Sequence, residues 1–160
     1  MKHWVCLWSD WAGRVTEVLL CIIGSSMALL IGVQVFSRYV LNHSLFWSEE
    51  IGRICLVWIT FLGGSAAYRR HAHIGIDFFV NRLPPRLRRA SEILVLVASL
   101  AFFAVLVGYG SIFVWFVSAQ KTAALGISTA VPYLVIPVGG ALFFLHGLRD
   151  LLELLSSDGA

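Results

Sequence analysis

A chain of 160 residues that is 59% hydrophobic and only 13% charged, with a mean hydropathy of +0.84, carries more apolar surface than a water-soluble domain of its size can bury, so its solvent is lipid. The net charge of +3 does not point to nucleic acid, because the basic residues gather beside the apolar runs, where they set membrane topology. The three cysteines, Cys6, Cys21 and Cys55, form no CxxC pair and no even framework, and read as small core residues rather than disulfides or metal ligands.

Residues 1–14 are too polar to span. Trp4, Leu7, Trp8 and Trp11 recur at i, i+3, i+4 and i+7, one face of a helix. This predicts a short helix over about 3–13 in the headgroup layer, where an indole ring is half wet. The first apolar run, 15–37, reaches roughly 34 Å at about 1.5 Å per residue, enough to cross with slight tilt. It is too long for the apolar region of a signal peptide, and no small-x-small cleavage site closes it cleanly. Gly24, Ala28 and Gly32 repeat every fourth residue and predict a stripe that another helix can approach closely.

A second span is expected over 47–68. Ser48 is placed to cap it, and Glu49 and Glu50 suit the positive end of the helix dipole. Glu49–Arg53 and Glu50–Arg53 are i,i+4 and i,i+3 pairs. In an antiparallel hairpin, Arg38 at the end of the first span stands level with Glu49 and Glu50. A polar cluster of Arg38, Glu49, Glu50 and Arg53 follows. It either docks a partner or pairs internally and sets the depth of the second span. Gly63 and Gly64 form a second close-packing patch, and Trp47 is an interfacial anchor.

Residues 69–91 make a basic loop. Ile76, Phe79, Val80 and Leu83 share one helical face, which predicts a second short helix on the membrane surface, stopped by Pro84 and Pro85. Arg69, Arg70, Phe79 and Arg86 are further anchors there. The third span, 93–119, is long enough that it must tilt or protrude. The fourth is expected over 129–152, with Pro132 harmless in its first turn and Pro137 bending it. Four spans put both termini and the basic loop on one side. That side holds Lys2, Arg14, Arg69, Arg70, Arg82, Arg86, Arg88, Arg89 and Arg149, against Arg38 and Lys121 on the other. The positive-inside rule then places both termini in the cytoplasm.

Catalytic patterns are missing: the sequence has no GxSxG, HExxH or phosphate-binding glycine loop. Four of the five histidines lie outside the spans and His146 stands alone near the end of the fourth. A haem held between two buried histidines is therefore not expected, nor any other cofactor or metal. The middles of all four spans are uncharged, unlike a self-sufficient pump, which needs ionisable groups or broken helices near mid-depth. The expectation is an all-α membrane protein that holds another membrane protein.

The run RYVLN (38–42), then L-x-W-x-E-E (45–50), Arg53, VW-x-x-FLGG (57–64), A-x-RR (67–70) and HIGID (73–77) resembles the small membrane subunit of TRAP transporters, the tripartite ATP-independent periplasmic transporters, of dicarboxylate type. The resemblance extends over nearly the whole chain. It implies a large multi-span partner subunit carrying the substrate and sodium sites. It also implies a soluble periplasmic binding protein that delivers an organic acid such as a C4-dicarboxylate, a keto acid or a sialic acid. The small subunit would act as a fixed scaffold in the bacterial inner membrane, against which the large subunit's transport domain moves like an elevator. Two alternatives stay open: a self-contained small transporter, as a homo-oligomer, and a membrane anchor for a redox enzyme.

Overall fold

The computed structural model describes residues 2–43, 45–70 and 84–156. Among them the architecture is all helical, apart from an isolated antiparallel bridge between Lys121 and Ser128. The elements are α1 (Lys2–Tyr39), α2 (Phe46–Arg69), α3 (Pro85–Val117), the single turn α4 (Ala130–Tyr133) and α5 (Val135–Ser156). Four helices are long and apolar enough to cross a membrane, over Trp4–Tyr39, Phe46–Arg69, Leu87–Val117 and Ala130–Leu154.

The N-terminal region departs from expectation. Residues 3–13 and 15–37, read as an interfacial helix and a span, form one unbroken helix of 38 residues. At roughly 1.5 Å per residue that is about 57 Å, against a hydrocarbon core of about 30 Å. No proline interrupts residues 2–39, and the first turns are held to α2 and α5 by polar contacts described below. The second expected surface helix, at 76–83, lies outside the described residues.

Helix ends follow local chemistry. α2 begins at Phe46, two residues ahead of Ser48, so Ser48 does not cap it. Its hydroxyl is buried and donates back to the Leu45 carbonyl at 2.6 Å. α3 starts at Pro85, where a missing N–H costs nothing. The last span is broken at Leu134, between α4 and α5. Pro137 has no N–H for the Tyr133 carbonyl, so the regular ladder cannot run through that turn.

α5 packs against all three of the other long helices, whereas α3 packs on α5 and α4. Close approach depends on glycine. A Cβ at Gly140 would lie 3.0 Å from Leu106 Cβ, and one at Gly110 would lie 3.0 Å from Ile136 Cγ2 and 3.3 Å from Pro137 N. Further along the same seam Phe103 and Phe143 stack with centroids 4.9 Å apart at 20°, and Tyr68 meets both rings edge-on. Leu62, Ala66, Val117 and Val135 complete the buried interior. Most large apolar side chains of α1 and α3 face outward, Leu29 and Trp115 among them, as lipid solvent requires.

Candidate functional site

Charged side chains gather at the two ends of the bundle. At the end formed by the start of α1 and the ends of α2 and α5, Asp10, Gly13 and Glu17 lie on one face of α1 at i, i+3 and i+7. Arg69, the last residue of α2, lays its side chain over Gly13. A Cβ there would be 2.6 Å from Arg69 Cζ and 2.7 Å from its Cδ. The bare backbone lets the guanidinium reach a carboxylate on either side: Nη2 donates to Asp10 Oδ1 at 3.0 Å and Nη1 stands 3.9 Å from Glu17 Oε1. Arg70 Nη2 donates to the same Glu17 oxygen at 2.8 Å. From α5, Arg149 Nη1 donates to Asp10 Oδ1 at 2.7 Å and its Nε to Glu153 Oε1 at 2.9 Å. Asp10 thus ties together guanidiniums from two different helices.

Beneath this network Ser9 and His146 are fully buried, with Ser9 Oγ 2.8 Å from His146 Nδ1. His146 Nε2 is buried with no hydrogen-bond partner. A cavity of about 350 Å³ lies among these side chains, with Asp150 on its wall. The sequence reading missed this cap. Its signal was there: His146, Arg149, Asp150 and Glu153 recur at i, i+3, i+4 and i+7. The hairpin reasoning that levels Arg38 with Glu49 also levels residues 10–17 with 69–70.

At the opposite end lie Arg38, Glu49, Glu50 and Arg53, the four residues of the expected polar cluster. Among the described residues no ion pair within 4 Å joins any two of Arg38, Glu49, Glu50 and Arg53. Arg38, Glu49 and Arg53 are exposed. Glu50 turns instead to the α3–α4 connection, where its Oε2 accepts from the Ala124 and Leu125 amides at 2.8 and 3.0 Å. That connection is a miniature hairpin. Thr122 N donates to Ile127 O at 2.8 Å, Thr129 N donates to Gln120 O at 2.9 Å, and Gly126 supplies the left-handed residue at φ +66°. Two successive amides pointing at one carboxylate form an anion nest, which Glu50 fills.

The remaining expected residues are placed as follows. Trp4, Trp8 and Trp11 point away from the bundle, 68%, 57% and 60% exposed, and Trp47 is exposed as well. Arg69 faces inward into the cap and Arg70 outward. Arg86 lies in the first turn of α3, and Phe79 lies outside the described residues. Gly64 takes the Phe143 ring, with a Cβ position 3.0 Å from Cζ, while Gly63 has only an ordinary contact with Leu20. Gly24 and Gly32 have nothing within 4 Å of a Cβ, and Ala28 is exposed, so this stripe faces out of the chain.

Comparison with known proteins fits this frame. The family model of the DctQ component of tripartite ATP-independent periplasmic transporters matches residues 27–157. The sialic acid TRAP transporter small permease protein SiaQ of Vibrio cholerae is 31% identical over 148 residues, 89% of this chain and 82% of that protein. The C4-dicarboxylate TRAP transporter small permease protein DctQ of the same organism is 31% identical over 106 residues, 64% of this chain and 46% of that one. The isethionate TRAP transporter permease protein DctMQ of Oleidesulfovibrio alaskensis is 32% identical over 116 residues, 71% of this chain and 18% of that protein. These relatives are transporter subunits and not enzymes, in keeping with spans that hold no charged group at mid-depth. With the match running from within α1 through the length of α5, the chain belongs to the DctQ-component family of TRAP transporters, whose members include their small permease subunits.

Proposed function

We propose that the chain is the small integral-membrane scaffold subunit of a sodium-coupled, binding-protein-dependent secondary transporter that imports an organic acid. It sits in the bacterial inner membrane with both termini in the cytoplasm. Its partners are a large multi-span subunit, which it braces while the transport domain moves, a periplasmic solute-binding protein, and the surrounding lipid. One observation carries this reading. No Asp, Glu, Lys or Arg occurs within 18–37, 54–68, 93–117 or 122–148. Coupling an ion to a solute needs polar groups at mid-depth, so those groups belong to another subunit. The names of the relatives, for sialic acid, C4-dicarboxylate and isethionate transporters, support an organic acid as the solute.

Bracing follows from anchoring. A scaffold has to resist vertical sliding, and outward tryptophans at the start of α1 do so because a shift drags their rings off the interface. Half-buried Gly24 and exposed Ala28 and Gly32 offer the large subunit a close approach at membrane depth. Arg38, Glu49 and Arg53, exposed at one end, are free to dock it, whereas Glu50 serves the chain's own hairpin. The test is co-purification and uptake. The double variant Gly24→Leu/Gly32→Leu is expected to lose the large subunit in pull-down while the chain itself stays folded. Sodium-driven accumulation of an organic acid in vesicles holding this chain alone would overturn the proposal.

A further inference from the structure

We propose that the cavity among the cap side chains binds a primary ammonium group, carried by an aminophospholipid headgroup or by a soluble amine. Its inner wall includes the buried Ser9 and His146. Its outer wall includes Glu17 and Arg70, whose side chains are 38% and 67% exposed, so it opens at the surface. Arg69, also on its wall, is the last residue of the α2 span, and the end of a span is where lipid headgroups lie. The volume of about 350 Å³ is room for roughly ten waters at about 30 Å³ each, or for one phosphoethanolamine group.

Charge sets the sign of the ligand. Asp10, Glu17, Asp150 and Glu153 line the cavity with Arg69, Arg70 and Arg149, four carboxylates to three guanidiniums. The surplus is one negative charge at neutral pH. The cavity also lies at the carbonyl end of α2, the negative pole of that helix. Both favour a cation. A metal ion fits poorly, because among the described residues no three His, Cys, Asp or Glu side chains are grouped to hold one.

The unfilled acceptors point to an ammonium. Among the described residues every hydrogen bond to Asp10 enters at Oδ1 and every one to Glu17 at Oε1, so each carboxylate has a second oxygen ready to accept. His146 Nε2 is buried with no hydrogen-bond partner. With Nδ1–H donating to Ser9 Oγ, 2.8 Å away, Nε2 is an acceptor as well. A primary ammonium brings three N–H donors to such a set, whereas a quaternary ammonium such as choline brings none. Arg70 donates to Glu17 through Nη2, and the rest of its outward guanidinium suits the phosphate that adjoins the ammonium in phosphatidylethanolamine. The site rests on the cap alone, whatever the chain braces.

The experiment uses the full-length chain in nanodiscs of phosphatidylcholine, into which phosphatidylethanolamine is introduced in steps while the His146 ring nitrogens are followed by NMR. The Nε2 resonance is expected to shift and saturate with phosphatidylethanolamine. Native mass spectrometry of the chain released into detergent should then find phosphatidylethanolamine retained in preference to phosphatidylcholine. Ethanolamine added to nanodiscs of phosphatidylcholine alone separates the two sources: a shift shows that a soluble amine suffices, and no shift shows that the lipid is required. Glu17→Gln, which removes the surplus charge at the rim, is expected to weaken binding about tenfold, while Arg38→Gln at the opposite end leaves it unchanged. Three results overturn the proposal: no shift with either amine, which leaves the cavity to water; equal retention of phosphatidylcholine; or unaltered affinity in Glu17→Gln. The comparison of lipids on the wild-type chain decides the matter even if the variant fails to fold.

Discussion

Gly140→Ala tests how α3 is held. A Cβ at Gly140 would sit 3.0 Å from Leu106 Cβ, 3.2 Å from Val107 Cγ2 and 3.3 Å from Val107 N. Ordinary carbon–carbon contact is about 3.5–4.0 Å, so the neighbours must retreat by about half an ångström. Val107 N is main chain, so the retreat moves α3 itself and not one side chain. Overpacking of this kind costs about 1–3 kcal/mol. Alanine also removes the intrinsic helix penalty of glycine, about 1 kcal/mol, which obscures the effect of the single variant. Gly24→Ala cancels that term, because Gly24 is also inside a helix and has nothing within 4 Å of a Cβ. The difference between the two variants isolates packing. It is expected to be about 1–3 kcal/mol, measured by reversible unfolding in mixed micelles followed by far-UV circular dichroism. Equal stability of the two variants would refute the claim that bare backbone at Gly140 sets the α3–α5 distance.

Three further outcomes are expected. Asp10→Asn removes the carboxylate that serves both Arg69 and Arg149; with its side chain 41% exposed, the loss is about 1 kcal/mol, and it shrinks in high salt because those charges are screened. Gly13→Val displaces the Arg69 side chain, so proteolysis within residues 1–17 should quicken; an unchanged digestion pattern shows that Arg69 finds another path to Asp10. Glu50→Gln leaves the Ala124 and Leu125 amides with a weaker, uncharged acceptor. Their exchange should accelerate while Thr122 and Thr129, bonded within the hairpin, stay protected; equal acceleration of all four means that Glu50 holds the hairpin's shape and not only its position.

Four apolar runs of membrane-crossing length make the spans legible in the sequence. The upright start of α1 was not. A tryptophan ridge at helical spacing fits a helix lying on a membrane and one standing beside a bundle equally well, since periodicity carries no direction. What decides is Ser9 on His146 and Asp10 on Arg149, contacts across 137 and 139 residues of sequence. Glu50 is a different case. Local i,i+3 arithmetic nominates Arg53, but backbone amides at 124 and 125 take the carboxylate, and amides carry no residue identity to read. Small-residue stripes posed a third ambiguity. Gly24, Ala28 and Gly32 look in sequence like Gly139 and Gly140, yet among the described residues a Cβ at Gly24 or Gly32 would meet nothing, whereas one at Gly139 would meet Phe61 and one at Gly140 Leu106. Which stripe is used internally is a matter of topology.

The central place of α5 bears on how the protein is made. α3 rests chiefly on a helix that leaves the ribosome after it, so during synthesis α1 and α2 can pair while α3 waits in the bilayer alone. Chains stopped just before Val135 should therefore keep a protected α1–α2 hairpin and expose α3 to membrane proteases. Supplying α5 as a separate polypeptide in the same cell should rescue them. A stop just before Val135 would then damage far more of the bundle than the 22-residue helix that it removes.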